Sequence, residues 1–313
     1  MHTVDHNNDE CHEMSDENQS LRSGHVALLG RPNAGKSTLL NRLIGEHVAI
    51  VTHKPQTTRH RITGILNRAE GQAVLVDTPG LHRRRDHALN RHMNRVAAEA
   101  LHGVDLVLLL IDARHQTEED QLAARAAIQS GLPVLLVFNK IDELAGRDQL
   151  LPLTDHWKER VTPVAVHFIS ALKGDGIDDL IESVFQHLPE AEPMYPDDVY
   201  TSQSERFLAA EFVREQLLQN LHQEIPYGTT VVIESFEHKS SSYRIGARIV
   251  VAEKRHKGMV IGKQGQTLKR IGSRARTKMQ ETFDIAVHLD LQVVDEPNWM
   301  DREQTFARLG YER

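Results

Sequence analysis

The chain has 313 residues, 40% of them hydrophobic, with a single cysteine and a formal net charge of −7 at pH 7. This length accommodates about two domains of roughly 150 residues each, and one cysteine excludes a framework of disulfide bonds. The longest apolar run, Leu106–Ile111, is far shorter than the ~20 residues that a membrane-spanning helix requires, so the sequence predicts no such helix.

Residues 1–21 are predicted to form a disordered acidic tail. They contain six Asp or Glu residues and neither Lys nor Arg. A segment of low hydrophobicity whose charges share one sign cannot bury enough apolar surface to fold. The tail also lacks the apolar stretch of a secretory signal peptide, and its role is left open by the sequence.

Residues 22–188 alternate short apolar runs with amphipathic segments. The apolar runs are His25–Leu29, Ala73–Val76, Leu106–Ile111, Val134–Phe138 and Val164–Ile169. Strands that alternate with helices favour an α/β domain with a mainly parallel sheet and helices on both faces. Four runs end near a small or polar residue, namely Gly30, Asp77, Asn139 and Ser170. Because ligands of open α/β sheets bind at the carboxyl ends of strands, we expect the functional site there.

A phosphate-binding loop follows the first run. The segment Gly30–Ser37, GRPNAGKS, matches the pattern G-x-x-x-x-G-K-[ST] between a predicted strand and a predicted helix. Backbone N–H groups of such a loop face the phosphates, while Lys36 is expected to reach the β- and γ-phosphates and Ser37 to bind Mg²⁺. The predicted nucleotide contacts here are Gly30, Arg31, Pro32, Asn33, Ala34, Gly35, Lys36, Ser37 and Thr38.

The second polar strand end is the tetrapeptide Asp77–Gly80, DTPG. A carboxylate at this place suits Mg²⁺, held through water, as in the second acidic element of P-loop enzymes. The N–H of Gly80 can approach the γ-phosphate because no side chain shields it. The predicted contacts are Asp77, Thr78, Pro79, Gly80 and Leu81.

The segment Asn139–Asp142, NKID, is predicted to select the base. The Asp142 carboxylate can accept hydrogen bonds from guanine N1–H and the exocyclic amine, whereas adenine N1 would face it acceptor to acceptor. The stem of Lys140 can lie over the base, and a backbone N–H near Ala171 is expected to reach the guanine oxygen. The contacts predicted in this region are Asn139, Lys140, Asp142, Ser170, Ala171 and Leu172. An ATPase is the alternative.

These elements, in this order and each at a strand end, resemble the TRAFAC-class GTPases. The resemblance implies a mobile loop before the second strand, in which a threonine binds Mg²⁺ only when GTP is present. The segment Gln56–Arg59 fits that loop, and its position favours Thr58 over Thr57. The expected metal ligands are therefore Ser37, Thr58 and Asp77.

The catalytic residue is not assigned by the sequence. Ras-like GTPases orient water with a glutamine at the position that Leu81 occupies, so we predict slow intrinsic turnover. In related GTPases an asparagine at the position of Asn33 accompanies a potassium ion, which makes K⁺ a candidate cofactor. The basic run Arg83–Arg85 is either an arginine finger in cis or a solvated basic turn, and the second reading is favoured.

A second, smaller α+β domain is predicted over residues 202–313. The segment 189–201 contains three prolines and is expected to be a linker. The elements that follow it are an amphipathic helix at about Gln203–Glu224, β-rich stretches at Thr229–Phe236 and Tyr243–Val251, a basic helical region, and a strand near Val287–Val293.

The basic region 254–278 has nine Lys or Arg residues and no acidic residue, which suggests a polyanionic partner. It contains the G-x-x-G segment Gly262–Gly265, and in RNA-binding KH domains such a loop clamps the sugar–phosphate backbone. The predicted RNA contacts are Ile261, Gly262, Lys263, Gln264, Gly265, Lys269 and Arg270. The alternative is a solvated basic helix after an ordinary turn.

Over about residues 22–311 the chain resembles the Era family of bacterial GTPases, which join a GTPase domain to a type II KH domain. The matching segments are GRPNAGKSTLLN, QTTRHRI, DTPGLH, FNKID, ISALKGDGI, SERFLAAEFVRE and GMVIGKQGQTLKRIG. The resemblance implies GTP hydrolysis, binding to the 3′ region of 16S ribosomal RNA, and a role in maturation of the 30S subunit. It also implies a cytoplasmic protein that associates in part with the inner face of the plasma membrane, and we expect a monomer.

Two other functions are compatible with the sequence. The second domain could bind a protein partner, although the basic run argues against this. A nucleotide-dependent RNA-modifying enzyme is disfavoured because no catalytic nucleophile or methyl-donor site is evident.

Overall fold

A computed structural model describes residues 20–52, 54, 57–81, 87–222 and 225–311. Nearly all of the predicted acidic tail, residues 1–21, lies outside these residues, as does the basic run Arg83–Arg85. Within the described part of the chain, no helix is long and apolar enough to cross a membrane.

The first sheet has six strands in the order β2-β3-β1-β4-β5-β6. The strands are β1 (Arg22–Gly30), β2 (Ile62–Arg68), β3 (Gly71–Asp77), β4 (Leu106–Asp112), β5 (Val134–Asn139) and β6 (Ala165–Ile169). All neighbours pair in parallel except β2, which runs antiparallel to β3. The apolar runs predict five of these strands but not β2, whose sequence ITGILNR is interrupted by polar residues and glycine.

Helices cover both faces of this sheet. They are α1 (Lys36–Ile44), α3 (Glu118–Ser130), α4 (Leu150–Val161) and α5 (Ile177–His187). The remaining helix, α2 (Ala88–Glu99), instead packs against Trp299 and Phe306 of the second domain. Along β4, Leu106, Leu108 and Leu110 pack with α1 and α5, whereas Val107, Leu109 and Ile111 pack with α3 and α4. Successive strand residues point to opposite faces, so a strand that is covered on both faces must be apolar throughout, as this one is.

The second sheet has three strands, in which β7 (Thr229–Lys239) is antiparallel to β8 (Ser242–Val251) and β8 is parallel to β9 (Ala286–Asp295). Three helices pack against it, namely α6 (Glu205–Asn220), α7 (Lys254–Ile261) and α8 (Gln266–Phe283). The short helix α9 (Glu303–Phe306) follows near the C-terminus. The predicted helix at Gln203–Glu224 begins at Glu205 in the structure, where the side chain of Ser204 accepts a hydrogen bond from Phe207 N at 3.2 Å, and it ends at Asn220, after which Leu221 is extended.

The segment 189–201 between the two sheets is held along the edge of the first one. The N–H of Ile65 in β2 donates to Tyr200 O at 2.9 Å, and the Gln72 side chain donates to Tyr195 O at 2.8 Å. Covering an edge strand in this way satisfies backbone groups that would otherwise be free to pair with another chain. The predicted linker thus also fixes where the second domain begins relative to the first.

Candidate functional site

A cavity of about 870 Å³ opens at the carboxyl ends of the central strands, beside the turn from β1 into α1. Its lining includes the predicted residues Pro32, Asn33, Gly35, Lys36, Ser37, Thr38, Thr58, Gly80, Asn139, Lys140, Asp142, Ala171 and Leu172. Two glycines allow the loops to meet here. Gly35 has φ 102°, and a Cβ on it would lie 2.1 Å from Asn139 Nδ2. A Cβ on Gly80 would lie 2.6 Å from Pro32 N.

The loop lysine is folded back onto its own loop. Lys36 Nζ donates to Gly30 O and Arg31 O, both at 3.1 Å, and the side chain is buried. Burial lowers the pKa of Lys36, while the carboxylate of Asp77 acts in the opposite direction. A phosphate group that took the place of these carbonyls would stabilise the charged form of the lysine.

The three predicted metal ligands lie within hydrogen-bond distance of one another. Ser37 Oγ is 2.7 Å from Asp77 Oδ2 and 2.8 Å from Thr58 Oγ1, and Thr58 Oγ1 is 3.1 Å from Asp77 Oδ2. The neighbouring Thr57 instead bonds to Thr52 Oγ1 at 3.0 Å and to Lys54 O at 2.6 Å. The geometry therefore favours Thr58 over Thr57 as the residue that faces the phosphate site.

A divalent cation fits this set of oxygen atoms. Asp77 Oδ1 is buried and has no hydrogen-bond partner among the described residues, so it is an unpaired acceptor beside two hydroxyls. Burial raises the pKa of Asp77, although Lys36 and the hydroxyls of Ser37 and Thr58 oppose the shift. Hydroxyl and carboxylate oxygens are the protein ligands that Mg²⁺ prefers, usually with several waters retained.

The side chain of Asn139 joins three of the predicted loops. Its Nδ2 donates to Ala34 O at 2.9 Å, and its Oδ1 accepts from Lys140 N at 2.8 Å and from Ala171 N at 3.0 Å. The N–H of Ala171 thus has a partner within the protein, and the prediction that a backbone N–H near Ala171 reaches the guanine oxygen stays a prediction. Asn139 thus has a positioning role between the phosphate and base regions.

The two residues predicted to contact the base take different positions at the cavity. Lys140 has a left-handed backbone, φ 69°, and its Nζ donates to Asn33 O at 2.6 Å and to Asp112 Oδ2 at 2.9 Å. This draws its aliphatic stem along the cavity wall. The carboxylate of Asp142 is exposed and lines the cavity, where it can meet hydrogen-bond donors of a ligand.

Arg31 lies in the phosphate loop, but its side chain does not line the cavity. The side chain is 10% exposed and points away from the loop, with Nη2 3.1 Å from Asp112 Oδ2 and Nε 3.1 Å from Asp120 Oδ2. Thr78 likewise turns inward and donates to Leu28 O at 3.0 Å. Only the backbone of these two residues remains available to a nucleotide.

Asp112 and Arg114 belong to the site, and the motifs did not include them. Asp112 ends β4 and accepts from Arg114 Nη2 at 2.7 Å as well as from Lys140. Burial would raise the pKa of Asp112, but the hydrogen bonds from Arg114 and Lys140 outweigh it and hold the pKa well below its usual range. The sequence does contain a signal for Asp112, because it is a polar residue directly after the apolar run Leu106–Ile111.

The structure places no water-orienting side chain at the position after Gly80. Leu81 is half-buried and packs against the core beneath α3 and α4, and an apolar side chain can neither orient water nor accept a proton. Asn33, the predicted K⁺ ligand, has φ 62° and lines the cavity.

The loop that carries Thr58 is in contact with the second domain. Arg59 is 1% exposed and donates to Thr229 O at 2.7 Å and to Tyr227 O at 2.9 Å. Arg214, on α6, donates to the carbonyl oxygen of Thr57. Sequence motifs cannot indicate these contacts, because they join residues more than a hundred positions apart.

The predicted RNA contacts lie together at the turn between α7 and α8. Gly262 and Gly265 have φ of 74° and 75°, and a Cβ on Gly262 would lie 2.2 Å from Thr267 Oγ1. The side chains of Lys263, Gln264, Lys269 and Arg270 are exposed or half-buried at the rim, whereas Ile261 packs against the core. The turn therefore presents positive charge at one end of the domain.

Comparisons with known proteins agree with this two-part arrangement. A family model described as a 50S ribosome-binding GTPase matches residues 25–140, and a KH domain model matches residues 224–299. The chain is 48% identical to the GTPase Era of Xanthomonas axonopodis pv. citri over 299 residues, which cover 96% of this chain and all of the relative.

Two solved structures superpose on nearly the whole chain, each with a TM-score of 0.90 and 34% identity, covering 94% of this chain and 100% of the other. One is a single-residue variant of Aquifex aeolicus Era bound to GDP and AlF4⁻. The other is Era in complex with MgGDPNP and nucleotides 1506–1542 of 16S ribosomal RNA.

Proposed function

The chain belongs to the Era family of GTPases, and from that premise we propose that it is a GTP-driven switch that binds 16S ribosomal RNA near its 3′ end and assists biogenesis of the 30S subunit. The observation that carries this proposal is the meeting of Ser37, Thr58 and Asp77 beside the phosphate loop, in a chain that also presents a G-x-x-G turn among exposed basic residues. A nucleotide site and an RNA-binding turn in one chain fit such a switch.

Mg²⁺ is the cofactor that the oxygen set supports, with Ser37, Thr58 and Asp77 as the residues that would hold it. When bound, Mg²⁺ neutralises charge on the β- and γ-phosphate oxygens. The Thr58 hydroxyl takes part only when its loop lies against the phosphate site. That loop therefore distinguishes GTP from GDP, since only GTP supplies the γ-phosphate that holds it there.

Guanine specificity is assigned to Asp142. Its exposed carboxylate can pair with the two adjacent donors of guanine, and adenine would leave it facing an acceptor. Asp142→Asn should therefore shift preference from guanine towards xanthine, measured by displacement of a fluorescent GDP analogue by GDP, XDP and ADP. Unchanged guanine binding would remove this role, and tighter ADP than GDP binding by the unaltered chain would favour the ATPase alternative.

Slow intrinsic hydrolysis and a K⁺ requirement form a further part of the proposal. Leu81 supplies no group that orients water, and Asn33 lies in the loop where a monovalent cation would add positive charge near the phosphates. Hydrolysis measured in KCl against NaCl at equal ionic strength should be faster in KCl, and Asn33→Ala should abolish the difference. Equal rates in both salts, or unaided turnover of tens per second, would contradict this account.

The second domain is proposed to bind single-stranded RNA along Gly262–Gly265. The family model for residues 25–140 is described in terms of the 50S subunit, whereas the relative that matches 94% of the chain holds a segment of 16S RNA. We favour the small-subunit RNA because the second comparison includes the domain that carries the basic turn. Exposed Lys263 and Lys269 would neutralise phosphates, so affinity should fall as salt rises.

The decisive experiment measures binding of a short RNA that copies the 3′ end of 16S ribosomal RNA, with GDP and with a non-hydrolysable GTP analogue. Tighter binding with the analogue, lost in the double variant Gly262→Asp/Lys263→Asp and kept in Lys158→Asp on the first domain, supports the switch. A ligand shifts an equilibrium only by its differential affinity for the two states, and the coupling is reciprocal.

Other outcomes of that experiment are equally informative. Equal binding with both nucleotides would leave an RNA-binding GTPase without coupling. No RNA binding at modest salt would favour the alternative of a protein partner, which a pull-down after RNase treatment would then detect.

A monomeric, cytoplasmic protein with partial attachment to the inner face of the membrane completes the proposal and rests on the family resemblance. Flotation of the chain with anionic vesicles, and its mass by light scattering, would examine both points.

A further inference from the structure

Helix α6 of the second domain lies against the loop that carries Thr58. Lys54 Nζ donates to the carbonyl oxygens of Leu218 and Leu221 at the C-terminal end of α6. The last carbonyls of a helix lack intrahelical partners and carry partial negative charge, so they are suited to hold an ammonium group. One turn earlier in α6, Arg214 donates to the carbonyl oxygen of Thr57.

The guanidinium of Arg214 is held in a single orientation. It is 2% exposed, and two of its nitrogens bind both carboxylate oxygens of Glu211, Nε at 2.7 Å and Nη2 at 2.6 Å. Such a two-point contact fixes the plane of the group. The Nη2 that binds Glu211 is also the one that donates to Thr57 O, so the position of that carbonyl follows from the buried pair.

The bond to Thr57 acts directly on the metal ligand. Thr57 and Thr58 share a peptide unit, and Thr58 Oγ1 lies 2.8 Å from Ser37 Oγ. A planar peptide leaves few ways for Thr58 to turn once the preceding carbonyl is held. A buried ion pair adds little net stability compared with apolar side chains of the same size, which favours a positioning role for Glu211 and Arg214 over a purely structural one.

We propose that Arg214 is a positioning residue for the GTP state: by holding Thr57 O from the second domain, it places the Thr58 hydroxyl for the Mg²⁺ that accompanies GTP. This inference rests on the proposed function. The second domain is then part of the machinery that recognises the γ-phosphate. A partner that displaces α6 would weaken GTP binding and leave GDP binding unchanged.

The experiment compares Arg214→Lys with Arg206→Lys in the full chain. Lysine keeps the charge opposite Glu211 but cannot also reach Thr57 O in the same geometry. Arg206 lies on the same helix and donates to carbonyls of β7 within the second domain, so the same substitution there is a matched control. Affinities for GDP and a non-hydrolysable GTP analogue are measured with Mg²⁺ and with EDTA.

We expect Arg214→Lys to lower the ratio of GTP-analogue to GDP affinity about tenfold in Mg²⁺, equivalent to about 1.4 kcal/mol, and to leave the ratio unchanged in EDTA. Arg206→Lys should leave both ratios unchanged. The inference would be overturned if Arg214→Lys lowered the affinities for GDP and the GTP analogue equally, or if it lowered their ratio as much in EDTA as in Mg²⁺. Neither effect would depend on the contact between Thr58 and the metal.

A double-mutant cycle with Thr58→Ala makes the assignment specific. If Arg214 acts through Thr58, its substitution should add nothing once Thr58→Ala is present; additive losses would refute that route. If the melting curve shows that Arg214→Lys does not fold, Glu211→Gln can be used instead, because it weakens the ion pair that orients Arg214. This variant should lower the ratio of GTP-analogue to GDP affinity in Mg²⁺ about threefold, and an unchanged ratio would refute the inference. Absence of guanine-nucleotide binding in the unaltered chain would instead reject the proposed function.

Discussion

Replacement of Arg59 should lower the stability of the second domain, because its side chain binds backbone groups of that domain. Its guanidinium is 1% exposed and donates to Thr229 O at 2.7 Å and Tyr227 O at 2.9 Å, with longer bonds of 3.3 Å to Pro226 O and the Tyr311 hydroxyl. Arg59→Met keeps much of the buried stem and removes the donors. It leaves the acceptors of the second domain without a partner.

The magnitude follows from these four bonds. Hydrogen bonds to charged groups contribute about 1.5 kcal/mol each at the lower end of their range, so the two short bonds together give about 3 kcal/mol. The two longer bonds add less. With a denaturant slope of about 2 kcal/mol per M urea for a domain of this size, the unfolding midpoint of the second domain should fall by about 1.5 M.

Trp299 provides a probe of that domain. The chain has only two tryptophans; Trp299 is fully buried in the second domain and donates to Gly228 O at 3.1 Å, and Trp157 lies in α4 of the first. Urea unfolding of Arg59→Met in a Trp157→Phe background follows Trp299, which packs with Ala88, Leu89 and Met93 of α2. The signal therefore reports the second domain together with its contact to the first, without assuming a two-state transition for the whole chain. Arg68→Met, at an exposed position, is the control and should change the free energy of unfolding by no more than about 0.5 kcal/mol. A shift for Arg59→Met no larger than this control would refute the reasoning.

Three further predictions concern the loops around the nucleotide. Thr58→Ala should weaken Mg²⁺-dependent binding of a GTP analogue about tenfold, and Thr57→Ala should change it by less than about threefold, in the same displacement assay. Gly80→Ala should impair binding of the GTP analogue more than of GDP, because a Cβ 2.6 Å from Pro32 N would displace the Gly80 N–H from the γ-phosphate that only GTP supplies. Equal losses of affinity for the two nucleotides would contradict this role of the N–H. Burial lowers the pKa of His60 to about 4, so the unfolded chain binds the proton more readily and stability present above about pH 6.5 is lost as the pH falls towards 4. His60→Phe should flatten this dependence of the urea midpoint, and an unchanged slope would count against the assignment.

The apolar pattern of the sequence predicts the strands of the first sheet except β2. Apolar runs of four to six residues predict β1, β3, β4, β5 and β6, because strands covered on both faces must be apolar throughout. Strand β2 was missed because it lies at the sheet edge, runs antiparallel and contains polar residues. Its outer edge is paired with the chain segment at Tyr200, and no periodicity in the strand itself indicates that contact.

The roles of individual side chains within the motifs depended on their neighbours. The sequence places Arg31 in the phosphate loop, but the buried carboxylates of Asp112 and Asp120 draw its side chain away. The N–H of Ala171 donates to Asn139 Oδ1, a partner that the sequence does not indicate. In both cases the hydrogen-bond partner comes from a different element of the chain, so the pairing depends on the folded structure.

The phosphate loop, the segment predicted to select the base and the G-x-x-G turn can all be identified from the amino-acid sequence alone. Each uses the backbone and side chains of consecutive residues, so its chemistry is written in a short segment. The contacts of Arg59 and Arg214 with the opposite domain were decided by tertiary structure alone. They join residues 170 and 157 positions apart, and such pairs meet only after the packing of two separate cores has fixed how the domains lie against each other.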